Sequence, residues 1–399
     1  MKKTDIGDRY ISQLQMAPPS QSKGLYMQFS LKFGETIGRG MLTSLYRKLR
    51  ESEENPIYLQ EFYEMKNQQL DKALLFNAGY QADNYRQVCN WVVENHDLFG
   101  KEILDVGCEC GIMSCFLAMA FPEAHITAVD RCENAITAGK ELAERLEVSN
   151  ITFLSADLFD LQGKRFDTVF GMRLLQENCD ITSVYSGYDL LRTEADRFQQ
   201  NIRPFAQLMA NLVKEDGYLI SIERCDVDPI LLGWMEALNH CDVSPVPECY
   251  RELTCKEMEH QGRFQIYAAE KKGMADSLEV YRLWCAFLLL RPMEAENGQY
   301  TGWRADMELQ NFAENLLDGF LLEDQNGNPL LTYSLWTDCE DENTLYLYQA
   351  MGDEHILSHY SMDAREDLID QIHQMREEYV QQGTVARKLL YENGILGTI

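Results

Sequence analysis

The chain has 399 residues, 45% of them hydrophobic, which suffices for two or three domains with sizeable cores. Its 64 acidic residues outweigh 36 basic ones for a formal net charge of −28, and no run of Lys and Arg marks the basic face from which nucleic-acid enzymes draw much of their affinity, so DNA and RNA are poor expected substrates and the charge reads as solubility. No stretch of about 18 uninterrupted apolar residues predicts a membrane span, and Met1-Lys2-Lys3-Thr4-Asp5-Ile6 lacks the apolar segment of a secretory signal, so a cytoplasmic protein is expected.

Residues 1–97 read as helical. Leu70, Ala73, Leu74, Tyr80, Tyr85, Val88, Trp91, Val92 and Leu98 recur largely at three- and four-residue steps, with Gly79 and Asp83 marking breaks between shorter helices. The run Glu102-Ile103-Leu104-Asp105-Val106-Gly107-Cys108-Glu109-Cys110-Gly111 is an apolar strand entering a glycine-containing turn, and Ile112 to Ala120 then reads as a buried helix. Glycine there lets the backbone turn tightly and come close to a ligand. A second strand, His125 to Val129, ends in Asp130, nineteen residues after Gly111. An acid at a strand end about 20 residues past a glycine turn is placed to hydrogen-bond both hydroxyls of a ribose, so a nucleoside-containing cofactor is expected.

Short apolar strands alternate with helical segments across residues 98–272, which implies a mainly parallel sheet with helices on both faces. An insertion from Glu177 to about Asp196 carries Tyr185, Ser186, Gly187, Tyr188 and Asp189 at the carboxyl end of that sheet, where ligands bind. Residues 273–399 change character. Leu278 to Leu290 is an apolar helix candidate. Leu330–Trp336, Thr344–Gln349 and His355–Ser361 read as three strands, and Leu368, Ile369, Ile372, Met375 and Tyr379 line one stripe of a polar helix. This α+β region contains no recognised chemistry motif and is expected to serve the substrate pocket or a homodimer interface. The twelve cysteines include no Cys-x-x-Cys pair and no zinc-ligand spacing, so reduced, buried thiols and no metal are expected.

NAD and S-adenosylmethionine are the main cofactor candidates. The dinucleotide fingerprint spaces its glycines G-x-G-x-x-G so that amides face a pyrophosphate. Here Cys108, Glu109 and Cys110 separate Gly107 from Gly111, and Glu109 would set negative charge beside a pyrophosphate. The phosphate-free S-adenosylmethionine, with a cationic sulfonium and ammonium, suits a loop bearing Asp105 and Glu109 better.

On these residues the chain resembles the class I S-adenosylmethionine-dependent methyltransferases. Their first motif, D-x-G-x-G-x-G, matches at Asp105, Gly107 and Gly111, with Glu109 in place of the middle glycine. Ile151 to Asp157 is similar to the family's third strand and its acidic tip, Phe166 to Gly171 to the fourth strand, Lys214 to Ile222 to a helix end, turn and fifth strand, and Phe264 to Ala269 to a closing strand. The resemblance implies an α/β fold, a Rossmann-like doubly wound, mostly parallel seven-stranded sheet over residues 98–272. A helical N-terminal segment, 1–97, would cover the pocket, and a smaller α+β domain would occupy 273–399. It implies S-adenosyl-L-methionine as cofactor, S-adenosyl-L-homocysteine as product, and a pocket made by Asp105, Gly107, Cys108, Gly111, Asp130, Arg131, Asp157, Leu158 and Met172. Asp130 would bridge the ribose hydroxyls and Asp157 would face the adenine amino group. The bland alternative makes both acids ordinary helix N-caps.

The segment Gly171-Met172-Arg173-Leu174-Leu175 lacks the Asn/Asp-Pro-Pro-aromatic motif associated with methylation of base amino groups. The expected acceptor is a small organic molecule or a peptide, with no nucleic acid or membrane partner. Glu177, Glu223 and His240 are candidate general bases for a hydroxyl acceptor, and Tyr80, Arg173, Tyr185 and Tyr188 are candidate substrate contacts, Tyr80 alongside Asn84 and Tyr85. Arg173 would bind an acidic group of the substrate or pair with Glu177 one helical turn on. The competing readings are an NAD-linked oxidoreductase and a non-catalytic interaction protein that keeps the fold.

Overall fold

The computed structural model describes residues 5–19, 21–55, 58–179, 181, 190–225, 228–258, 260–289, 299–302, 305–306, 308–309, 313–324, 327, 329–339, 341–351, 354–392 and 395–398. They form two compact units, one from Met1–Asp180, Asn201–Asp226 and Trp234–Leu283, the other from Ile181–Gln200, Val227–Gly233 and Trp284–Ile399. In chain order the helices are α1 (Ile6–Gln13), α2 (Ser22–Phe33), α3 (Glu35–Glu54), α4 (Leu59–Lys66), α5 (Leu70–Tyr80), α6 (Ala82–Glu94), α7 (Ile112–Ala120), α8 (Glu133–Arg145), α9 (Leu175–Asn178), α10 (Leu190–Asn211), α11 (Asp228–Asn239), α12 (Ser277–Leu289) and α13 (Arg365–Gln381). The strands of the first unit are β1 (Glu102–Val106), β2 (His125–Asp130), β3 (Ile151–Ser155), β4 (Phe166–Met172), β5 (Val213–Glu223), β6 (Val243–Pro245), β7 (Arg251–Glu257) and β8 (His260–Lys271).

Seven of these strands run in the order β3-β2-β1-β4-β5-β8-β6, and β7 pairs with β8 off that path. β3, β2, β1, β4 and β5 are parallel neighbours, and β8 runs antiparallel to β5. A sheet covered on both faces needs strands that are apolar throughout, and Ile103, Leu104, Ile126, Ala128, Val169, Phe170, Leu219 and Ile220 are all fully buried. The uniformly apolar α7 is buried for the same reason. The sequence reading of a helix end at Lys214 to Gly217 is corrected, since β5 already starts at Val213. β6 and the alternating strand β7 were not anticipated.

α1 and α6 pack on the sheet core of this unit. The Tyr10 hydroxyl donates to the Ile112 carbonyl at 2.5 Å, and the Trp91 indole N–H donates to the Cys249 carbonyl at 3.0 Å. α2 to α5 share a second core built from Leu25, Phe29, Leu42, Leu45, Phe62 and Phe76.

The second unit contains an antiparallel sheet with strands β9 (Gln299–Thr301), β10 (Ala313–Glu323), β11 (Pro329–Asp338), β12 (Thr344–Met351), β13 (Glu354–Ser361), β14 (Val385–Glu392) and β15 (Ile395–Thr398) in the order β15-β14-β10-β11-β12-β13-β9. The three expected strands are its centre, and β9, β10, β14 and β15 extend it. Alternation builds two cores: Leu345 and Leu347 face one with Leu368 and Ile372 of α13, whereas Tyr346 and Tyr348 face the other with Ala305, Leu309 and Leu357. Among the described residues, no helix is long and apolar enough to cross a membrane.

Candidate active site

The parallel strands β1, β2 and β4 end at one cavity of about 570 Å³, within the usual size range for small-ligand sites. Its lining includes Asp105, Gly107, Cys108, Asp130, Arg131, Asp157, Leu158, Met172, Arg173 and Glu177. The loop after β1 makes the floor. Gly107 sits at φ +66°, a conformation that strains any other residue, and a Cβ there would lie 2.7 Å from Leu174 Cδ2, so the end of that side chain would have to shift. Gly111 is a correction: it does not line the cavity. Its φ is +76°, and a Cβ would fall 2.8 Å from Phe153 Cε1 and 3.2 Å from the Gly139 Cα, so this glycine serves close packing of loop, strand and helix.

Asp130 holds the loop from β2. One carboxylate oxygen accepts the Glu109 N–H at 2.9 Å and the other accepts the Cys132 N–H at 2.8 Å. A carboxylate has about four lone-pair sites, so two acceptor positions remain for a diol. The N-cap of α8 is Cys132, whereas Asp157 is an N-cap: it accepts the Phe159 N–H at 3.0 Å in a capping box with Asp160, over a short 3-10 turn. Asp157 therefore has a structural duty as well as a place on the cavity wall. The Cys108 and Cys110 thiols are pushed well up by burial, which keeps them protonated.

The acids that suggested a cation-binding loop carry less free charge than the sequence implied. Asp105 is buried, accepts the Ser114 hydroxyl, and burial pushes its carboxyl up to about 7. Glu109, at φ +48°, is ion-paired with Lys66 at 2.8 Å and accepts the Asn77 amide at 3.2 Å. Lys66 is itself buried, under the rings of Phe62, Tyr63 and Phe76 at 5.1–5.8 Å. The departure from glycine at Glu109 thus has a partner in α4, which the sequence reading did not find. No local sequence pattern signals this pair, since it joins α4 to the loop after β1.

α4 supplies part of the wall, which the sequence did not indicate, and Gln81 just before α6 and Tyr85 within it, the latter named from the sequence, supply more. Leu59, Gln60, Tyr63, Lys66, Gln81 and Tyr85 line the cavity, whereas Tyr80 does not: it stacks on Phe76 with ring centroids 5.0 Å apart. Asn84 is buried away from the lining. The Tyr63 hydroxyl donates to Glu177, and burial, with the neighbouring Glu177 charge, raises this phenol far enough to keep it a donor. Glu177 is exposed at the open cavity, and desolvation by the protein around it raises its carboxyl above the ordinary range.

Two candidate bases lie outside the cavity. Glu223, at the carboxyl end of β5, is buried and accepts the Leu174 and Leu175 N–H groups at 3.2 and 3.1 Å, which fixes the turn after β4. His240 is exposed and precedes β6, which pairs Val243 with Lys271, while Tyr218, at the opposite end of the β5–β8 pairing from Glu223, pairs with Glu270. That register sets His240 at the far edge of the sheet. Tyr185 and Tyr188 lie outside the described residues. Among those residues, no group of three or more His, Cys, Asp or Glu side chains is arranged to hold a metal.

Burial pushes Glu223 up to about 8 from an ordinary 4.5, so the folded state keeps this proton while the unfolded chain releases it. Its contribution therefore weakens stability progressively as pH rises from about 4.5 to about 8. Glu223→Gln stays neutral and retains a carbonyl acceptor, and is expected to flatten that part of the curve. Urea midpoints at about pH 5 and about pH 8 read this out, and an unchanged slope would contradict it.

Residues 99–279 match the model of a methyltransferase domain. The chain is 31% identical over 172 residues to a ubiquinone biosynthesis O-methyltransferase of Aromatoleum aromaticum, covering 42% of this chain and 68% of that protein. It is 24% identical over 215 residues to the ribosomal RNA small subunit methyltransferase G of Bacillus subtilis, covering 54% and 68%. It spans less, 41% and 58%, of two further proteins with the first of these names. A magnesium protoporphyrin IX methyltransferase from Synechocystis PCC 6803, solved with bound SAM, aligns at 19% identity and a TM-score of 0.34 over 51% of this chain and 84% of that one. The chain belongs to the class I S-adenosylmethionine-dependent methyltransferases. Its cofactor is S-adenosyl-L-methionine.

Proposed function

We propose that the chain transfers a methyl group to a hydroxyl of a small organic molecule or a peptide, with Glu177 as the general base. The observation that carries this reading is a single cavity bounded by the Gly107 turn, Asp130, Asp157, Met172 and Glu177 together. The residues fit the cofactor: a carboxylate with acceptor positions to spare for a ribose diol, and apolar walls of Val129, Leu158, Phe159 and Met172 for a purine. The bound cofactor supplies a methyl group already activated on a sulfonium, so the protein's work is orientation and proton handling.

In this reading Asp130 accepts the ribose hydroxyls and Asp157 lies at the adenine end. Tyr63 donates to Glu177 and so orients it, and the raised carboxyl pKa makes Glu177 a better proton acceptor at neutral pH than an ordinary carboxylate. The O-methyltransferases among the relatives agree with a hydroxyl acceptor. Glu223 has the structural role given above, and His240 is withdrawn as a base.

The test is transfer of a labelled methyl group from S-adenosylmethionine to a panel of hydroxyl-bearing small molecules and peptides. Glu177→Gln is expected to lower kcat about 10²–10⁴-fold while leaving the Kd for S-adenosylhomocysteine unchanged. Full turnover in that variant would remove Glu177 from the mechanism.

A further inference from the structure

Arg173 follows β4 directly, at φ +59°, a left-handed conformation that a long side chain rarely takes. Such strain persists only where surrounding structure enforces it, and it gathers at ligand sites. Here the enforcement is visible. The Arg173 N–H donates to the Ile222 carbonyl at 2.8 Å, and the next two N–H groups are held by the buried Glu223 carboxyl. The result is a half-buried guanidinium on the cavity wall that, among the described residues, makes no ion pair and donates no hydrogen bond. It does not pair with Glu177, the partner its spacing suggested.

The other cations of the wall differ. Lys66 is committed to Glu109, and Arg131 is exposed. Arg173 acts electrostatically on Tyr63, Tyr85, Glu177 and Glu223. It therefore stands on the side of the cavity occupied by the candidate base.

We propose that Arg173 binds an anionic group of the methyl acceptor, so that the substrate class is an acidic hydroxyl compound whose carboxylate pairs with Arg173 while its hydroxyl meets Glu177. This rests on the reading of the cavity as a methyltransferase site. The planar guanidinium presents parallel donors that match a carboxylate in a two-point contact, which a lysine ammonium cannot reproduce. The tyrosine and methionine walls suit an aromatic ring.

The test uses the full chain saturated with S-adenosylhomocysteine, titrated calorimetrically with 2-, 3- and 4-hydroxybenzoate and the matching hydroxybenzamides. At least one acid is expected to bind about tenfold or more tightly than its amide. Arg173→Gln should abolish that preference, Arg173→Lys should retain part of it, and the affinity for S-adenosylhomocysteine should stay unchanged in both. Equal binding of acids and amides, or binding of neither, overturns the proposal. Weakened binding of S-adenosylhomocysteine but not of 5′-methylthioadenosine in Arg173→Gln also overturns it, assigning the residue to the cofactor's own carboxylate. If the unsubstituted protein fails to bind S-adenosylhomocysteine at all, the methyltransferase site falls and this inference falls with it.

Discussion

Lys66→Met is expected to destabilise the protein by about 3–5 kcal/mol, because it leaves the Glu109 carboxylate without its cationic partner in a largely buried site. Lys66 and Glu109 meet at 2.8 Å, and Asn77 bridges them, accepting from the lysine at 3.1 Å and donating to the glutamate at 3.2 Å. Glu109→Gly, which restores the residue usual in the family's motif and removes the backbone strain at φ +48°, is expected to be destabilising as well, since it strands the ammonium among aromatic rings. The double variant Lys66→Met/Glu109→Gly loses both charges and should recover most of the loss. Urea midpoints of the four proteins form a double-mutant cycle. Additive single effects would show that the pair is not coupled and that Glu109 needs another explanation.

Gly111→Val is the second large effect. A β-branched residue at φ +76° is disfavoured by about 1–2 kcal/mol, and its Cβ enters a space 2.8 Å from Phe153 Cε1 and bounded by the Gly139 backbone. Together these predict a loss of about 2–5 kcal/mol. Because Gly111 does not line the cavity, the folded fraction should still bind S-adenosylhomocysteine normally. Intact stability with lost binding would return Gly111 to the ligand contact that its place in the motif suggested.

The comparison of these two positions indicates which features the sequence carries openly. Continuous apolar runs such as Ile103-Leu104 and Val169-Phe170 are dictated by burial on both faces of a parallel sheet, and so they read directly as strands. Asp130 was legible because its distance from the glycine turn is set by one βαβ repeat. The Lys66–Glu109 pair was not, because it joins α4 to the loop after β1, and no local pattern records a contact across 43 residues.

Helical periodicity likewise identified an apolar N-terminal region without saying which turn meets the cavity. Tyr80 and Tyr63 look alike in sequence, yet only Tyr63 lines it. In the second unit, β10 was hidden by register shifts at Ala313/Leu316, Leu316/Asp318 and Leu322/Glu323, which break the two-residue alternation that marks a strand. β14 was hidden by Arg387 and Lys388, paired opposite Leu321 and Phe320. Glu223 and His240 were plausible bases by position in sequence, but only the register and the hydrogen bonds of the turn after β4 reveal that one is a structural acceptor and the other lies at the far edge of the sheet.

The measurement that bears most directly on the site is calorimetric titration of S-adenosylhomocysteine into the full chain and into Asp130→Ala. The unsubstituted protein should bind one equivalent. Asp130→Ala removes a charged acceptor from the ribose side of the cavity, and hydrogen bonds to charged groups contribute about 1.5–3 kcal/mol each, so affinity should fall at least roughly tenfold. The same substitution frees the Glu109 and Cys132 N–H groups, so circular dichroism must accompany the titration to establish that the variant is folded. Unchanged affinity in a folded Asp130→Ala, or no binding by the unsubstituted protein, would contradict the assignment of this cavity to the cofactor.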